Sequence, residues 1–296
     1  KTFKPDDPVG MKALFDGAMV PTAAAAWSGL YSQSAESHGL EWAPHPHRIT
    51  LLDVCALQAS FHMKAHGTTR EQIAASAAKN HDHGALNPHA QYQTPMSIEQ
   101  VLSDKPVVGP LTRAMCSPIG DGASAALLCS ERRLSELPSE LRERAIRVTG
   151  VGQSSGRMRP LDQQNSVPAA AKRAYAMADM TPEKIDIVEL HDATSFAELS
   201  LSEALGFCPP GEGGAYVASG AASLGGRRPT NTSGGLVSKG HPLAASGLAM
   251  AHELVTQLRG EAGPRQAGSP EVALLENAGG MRGFDEAACC VAILQR

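Results

Sequence analysis

The chain has 296 residues, 42% hydrophobic and 19% charged, a balance that suits a folded globular protein and excludes a disordered one. A net charge of −4 leaves no basic excess, so nucleic acid is not an expected partner. No apolar run is long enough for a membrane span and no signal-peptide core opens the chain, so a cytoplasmic location is expected.

The six cysteines, Cys55, Cys116, Cys129, Cys208, Cys289 and Cys290, sit mostly in apolar contexts and read as reduced, buried thiols rather than a disulfide framework. Residues 1–90 show no strand–helix rhythm, but two helices are expected, over 51–64 and 69–79. A polar loop, HDHGALNPHAQYQ, follows. At 117–131, SPIGDGASAALLCSE reads as a turn running into a buried strand over 123–129. The charged stretch 131–144 reads as a connector and a domain boundary.

Beyond it the pattern alternates. A strand is expected over 145–151, a helix opening with Pro168 in its first turn, and a strand over 185–190. A helix over 195–205 has Ser195 and Glu198 in capping-box spacing, and one over 242–258 is closed by Gly260. Apolar strands close the chain at 272–275 and 288–294. Alternation of this kind predicts a layered α/β domain. DGASAALLCS near Asp121 and DEAACCVAIL near Asp285 echo one another, as if each half of a duplicated fold closed on an equivalent strand.

Two histidines stand where strands hand over to helices. His241 lies between Gly240 and Pro242, and placement before a helix N-terminus favours neutral imidazole, which can take a proton from a thiol or face a carbonyl oxygen. Gly240, Ala244, Ala245 and Gly247 leave room for a bulky ligand. His191, with Asp192, follows the 185–190 strand, at the carboxyl end where open α/β sheets place ligands. ENAGG, 276–280, reads as a loop whose backbone N–H groups over 278–280 could stabilise an oxyanion.

Other patterns carry less. GQSSG fits a nucleophile elbow around Ser154, but no helix follows it. His81, His83 and His89 lack the spacing of a metal site and read as a solvated loop. SGGLVSKG lacks the order of a phosphate loop.

Taken together, these segments resemble the thiolase superfamily, in its sterol-carrier-protein-type branch. NTSGGLVSKGHPLAASGLA is similar to the family's Asn-x-x-Gly-Gly … Gly-His-Pro signature, and VELHDATS to its His-Asp-Cys-Phe loop. KNHDHGALNPHAQYQ, the turn at Asp121 and EALGFCPPGEGG resemble further family segments, over about 61–296. The resemblance implies a duplicated α/β/α/β/α fold with a covering loop domain. In that frame, 1–105 holds the covering region and the remainder of the N-terminal half, 106–135 the closing strands of that half, and 145–296 the C-terminal domain.

It also implies acyl transfer on coenzyme A thioesters, with carbon–carbon cleavage or formation in a β-ketoacyl-CoA. Coenzyme A enters as substrate, with no resident cofactor or metal. His241 then matches the base that activates a thiol, His191 a group that helps bind the thioester oxygen, and Gly279 a backbone oxyanion donor. A homodimer and an OB-fold partner subunit are implied as partners.

The chain departs from that pattern. The family's nucleophile motif is not found, and the chain begins within the covering region. Ala193 stands where the branch has its second cysteine, and Asn277 where the alternative cysteine loop falls. MRGFDEA follows ENAGG as an insertion. Two other readings therefore stand beside thiolysis: a retro-aldol lyase on a CoA-linked side chain, and a non-catalytic acyl-CoA or lipid-binding subunit.

Overall fold

The computed structural model describes residues 10, 12, 13, 16, 17, 19, 20 and 24–296. Strand β1 (Met19–Val20) precedes helices α1 (Ala24–Ser37), α2 (Thr50–His66) and α3 (Arg70–Ala85). Thr69 caps α3 in a reciprocal box with Gln72 (3.2 and 3.0 Å), which satisfies two backbone donors at the helix start. Helix α4 (Ile98–Ser103) leads into an antiparallel ribbon of β2 (Pro106–Val108) and β3 (Leu111–Thr112).

Two short exposed helices, α5 (Glu131–Ser135) and α6 (Ser139–Glu143), form the charged connector. After it come β4 (Arg147–Ser155), α7 (Val167–Ala178), β5 (Ile187–Glu189), α8 (Ser195–Ala204), α9 (Gly213–Ala218), α10 (Gly235–Lys239) and α11 (Ser246–Leu258). A long hairpin, β6 (Val272–Arg282) and β7 (Asp285–Gln295), ends the chain.

The hairpin is the centre of a five-stranded sheet. β7 pairs antiparallel with both β4 and β6, while β5 and β1 run parallel to β6 along its other edge. The amphipathic α7 lays Val167, Ala170, Ala171 and Ala174 against Leu274, Cys289, Val291 and Ile293. On the opposite face α11 presents Met250, Leu254 and Leu258 to Ile187, Ala273, Leu275 and Leu294. Each fully buried Val, Leu, Ile or Met among these contributes about 1.5–3 kcal/mol relative to exposure. The result is a helix–sheet–helix sandwich, the layered α/β fold that the alternation predicted. A further core joins α2, α3 and α8 through Ala59, Ile73, Ala77, Phe196 and Leu199.

The edge of β6 is shared unevenly. β5 covers Ala273 to Leu275 and β1 covers Met281 and Arg282, so 276–280 have no strand neighbour on that side among the described residues. ENAGG is therefore an open strand edge and not a loop. MRGFDEA forms the hairpin turn, closed by Arg282 opposite Asp285, with Gly283 at φ 70°.

Several expectations change. Residues 123–129 form no strand and are largely exposed, Leu127 and Leu128 fully or nearly so; among the described residues no neighbouring strand is there to pair them. Of the two matching halves that the echo implied, the described residues build the sheet of the second. HDHGA continues α3 through Ala85, because His81 and His83 find buried partners. Both are almost completely buried. The helix expected from Pro242 starts at Ser246, as Pro242 instead opens a turn whose carbonyl accepts from Ala245 N (2.8 Å) and Ser246 N (3.0 Å). No capping box joins Ser195 and Glu198: Thr194 is the N-cap, and Glu198 is drawn into a buried network. All six thiols are free, but only Cys289 is fully buried and Cys129 is exposed.

Candidate functional site

The carboxyl end of β5, the turn before α11 and the open edge of β6 meet at a cavity of about 1120 Å³. His191, Ala193, His241, Glu276 and Gly279 line it. The sequence placed His191 and His241 at matching points of two strand–helix units, and the structure brings their rings together, centroids 4.9 Å apart and edge to face.

Local hydrogen bonds fix both tautomers. Ser246 Oγ gives its proton to Pro242 O (3.2 Å), so it accepts from His241 Nδ1–H (2.8 Å). Nε2 of His241 is then an unprotonated nitrogen with no hydrogen-bond partner among the described residues. His191 Nδ1–H donates to Asn277 Oδ1 at 3.0 Å, which leaves its Nε2 in the same state.

Burial, then the neighbouring His191 and Lys239, hold the His241 imidazole down to about 3. Burial also lowers His191, against the hydrogen bond it donates to Asn277. His241 is neutral for that reason and not through a helix dipole, since α11 begins five residues later. Two adjacent imidazoles 4.9 Å apart cannot easily both be charged.

Beneath the pair lies a buried polar lattice anchored on α3. Asn80 Nδ2 donates to Asp192 Oδ2 (2.8 Å) and Glu198 Oε2 (3.1 Å), and Lys79 Nζ pairs with Glu198 Oε1 (3.0 Å). Asp192 Oδ1 accepts from Leu236 N at 2.7 Å, tying the His191 loop to α10, which leads directly to His241. At Gly235, with φ 59°, a Cβ would stand 2.3 Å from Asp192 Oδ2, so only glycine permits that closeness. Asn231 Oδ1 accepts from Leu190 N (2.8 Å) and His83 Nδ1 bonds Asn231 O (3.0 Å). The histidines of HDHG thus serve the scaffold, and among the described residues no His, Cys, Asp and Glu group fit for a metal forms.

Gly279 is exposed along the open edge of β6, and the space where its Cβ would project is empty. Asn277 orients His191 and also packs on Gly247, where a Cβ would come within 3.2 Å of its amide. Ser154 Oγ donates to Ser166 O (2.9 Å) and is absent from the cavity wall, so it has no place in this site.

Sequence reasoning missed three cavity groups. Glu276 is completely buried, with Oε2 accepting from His191 N at 3.1 Å; burial and then Glu286 push it up to about 8. Its place in ENAGG was visible, but attention to the backbone passed over the side chain. Cys55 and Cys116 also line the cavity, and burial raises them to about 11 and about 12, so both are thiols at neutral pH. Their approach depends on long-range packing that no local spacing signals.

Residues 151–296 match the thiolase C-terminal domain-like family. An acetyl-CoA acetyltransferase of Methanothermobacter thermautotrophicus is 39% identical over 240 residues, covering 79% of this chain and 62% of that protein. Human sterol carrier protein 2 is 40% identical over 237 residues, 74% of this chain and 41% of its own length. The chain thus spans less than two thirds of these relatives. A solved structure titled Ltp2-ChsH2(DUF35) aldolase shares the fold, with a TM-score of 0.69 and 24% identity over 81% of this chain and 63% of that one. The chain belongs to the thiolase superfamily. Its likeness runs to the sterol-carrier-protein-type branch.

Proposed function

We propose that this chain carries the acid–base side of a thiolase-type acyltransferase that cleaves or forms a carbon–carbon bond in a β-ketoacyl-CoA. The observation that supports it is the pair of neutral imidazoles, His191 and His241, facing one cavity with Nε2 of each unused. An unprotonated His241 Nε2 takes the proton of an attacking thiol. So weak a base gains strength only when an anion forms beside it, and a thiolate is such an anion. His191 Nε2 holds a water whose O–H reaches the thioester oxygen, with backbone N–H groups at 278–280 as further donors to the enolate. Gly279 leaves the approach open. Coenzyme A is a substrate in this reading and a homodimer is its expected assembly, whereas an OB-fold partner subunit belongs to the lyase alternative.

The test is cleavage of a series of β-ketoacyl-CoA esters with free CoA present. His241→Asn lowers the rate at least 1,000-fold while thioester binding stays within a few fold. No cleavage of any chain type by the wild-type protein sinks the proposal.

The lyase reading draws on one observation: Cys55 and Cys116 are held as thiols, and retro-aldol cleavage needs no thiolate. Its signature is bond cleavage that proceeds without free CoA. Binding without turnover in either assay identifies a lipid-binding subunit.

A further inference from the structure

Thiolytic cleavage leaves an enolate that must take a proton at Cα, yet neither Ala193 nor Asn277 can carry one. We propose that Glu276 is the proton donor of this site, moving a proton between its carboxyl group and Cα of the bound thioester. The inference rests on the acyltransferase reading above.

Geometry carries it. Glu276 lines the same cavity as His191, His241 and Gly279, on the stretch of β6 edge that no strand covers among the described residues. Both of its oxygens act as acceptors: Oε2 receives His191 N–H at 3.1 Å, and Oε1 receives the Cys289 thiol at 3.5 Å. Its own O–H finds no acceptor among the described residues and is free for the cavity. The groups around it are Glu286, Cys289 and Cys290 on β7 and the backbone of His191, and the charge of Glu286 favours the protonated form. At neutral pH Glu276 therefore holds its proton next to the imidazole pair. A carboxylic acid kept neutral in an enclosed site is well suited to donate to a forming carbanion.

The step balances. The CoA sulfur, giving its proton to His241, bonds the β-carbonyl carbon, and the Cα–Cβ bond then breaks with its electron pair passing to Cα and the thioester oxygen. The O–H bond of Glu276 then breaks as its proton bonds Cα, leaving a carboxylate. The proton taken from the CoA thiol by His241 returns to that carboxylate, so one proton leaves sulfur, one reaches carbon, and Glu276 ends as it began.

The probe is acetyl-CoA in D₂O, with deuterium uptake at the methyl carbon read by mass spectrometry beside β-ketoacyl-CoA cleavage and thioester binding. Glu276→Gln is expected to lose exchange and cleavage at least 100-fold with binding retained, and Glu276→Asp to keep part of both. The wild-type pH profiles mirror one another around pH 8. Exchange from acetyl-CoA rises as the carboxylate forms, and cleavage falls as the acid is lost. Glu286→Gln moves both limbs to lower pH, which a purely structural residue would not cause.

A Glu276→Gln protein within threefold of wild type overturns the assignment and leaves the acyltransferase reading standing. A wild-type protein that binds thioesters but neither exchanges nor cleaves removes both. Should Glu276→Gln fail to fold, unmoved limbs in Glu286→Gln overturn the assignment.

Discussion

Ser246 has one of the smaller side chains around the site and one of the largest assigned effects. It gives its hydroxyl proton to Pro242 O and accepts from His241, and so decides which imidazole nitrogen is the base. Ser246→Ala leaves His241 free to rotate and to change tautomer. The expected loss is about 10- to 100-fold in turnover with little change in folding, measured as kcat against thermal midpoint. Lys79 behaves in the opposite way. It lies outside the cavity wall but compensates buried Glu198 at 3.0 Å, so Lys79→Met strands a carboxylate and is expected to cost about 3–5 kcal/mol in a urea titration.

At the scale of elements, what the sequence disclosed depended on how local the cause was. His191 and His241 were legible because each stands beside its own strand or turn, and HPLAAS marks the second plainly. Their meeting at 4.9 Å was not spelled out anywhere locally. It follows from β5 and α10 both being tied to Asp192. The core strands 272–275 and 288–294 were readable from apolar runs, but their extension through ENAGG was not. Glycine and asparagine signal a loop by themselves, and pairing of Asn277 with Cys290 and of Gly279 with Ala288 holds them extended. The burial of His81 and His83 was hidden likewise, since a polar helix face has no apolar period and depends on partners 33 residues away for His81 and over 140 away for His83.

One local clue went unused. β4 contains Gly150 and Gly152 because α7 presses on it. A Cβ at Gly152 would come to 2.0 Å from Ala170 O. Gly152→Ala is accordingly expected to destabilise the fold by about 1–3 kcal/mol through displacement of α7, seen as a lower urea midpoint with an unchanged slope.

For the whole molecule, opposing titrations bound the range of stability. Burial lowers His81, His83, His191 and His241, so below about 6.5 the unfolded chain takes up protons that the fold refuses, and stability falls with falling pH. Burial raises Glu276 to about 8 and Glu286 to about 7, so above about 4.5 the unfolded chain releases protons that the fold keeps, and stability falls with rising pH. Each group acts by up to about 1.4 kcal/mol per pH unit inside its window. The urea midpoint is expected to peak between about pH 4.5 and 6.5. Glu276→Gln flattens the alkaline side.

The segment 121–129 has a practical consequence. It makes no hydrogen bond among the described residues, carries Leu127 and Leu128 in the open, and joins two well-packed bodies of chain. A protease must draw its substrate out as a bare strand before it cuts, and this stretch is already drawn out. Brief digestion with an enzyme that cleaves after leucine should therefore nick the chain first at 127 or 128, leaving two fragments held together by the lattice around Asp192.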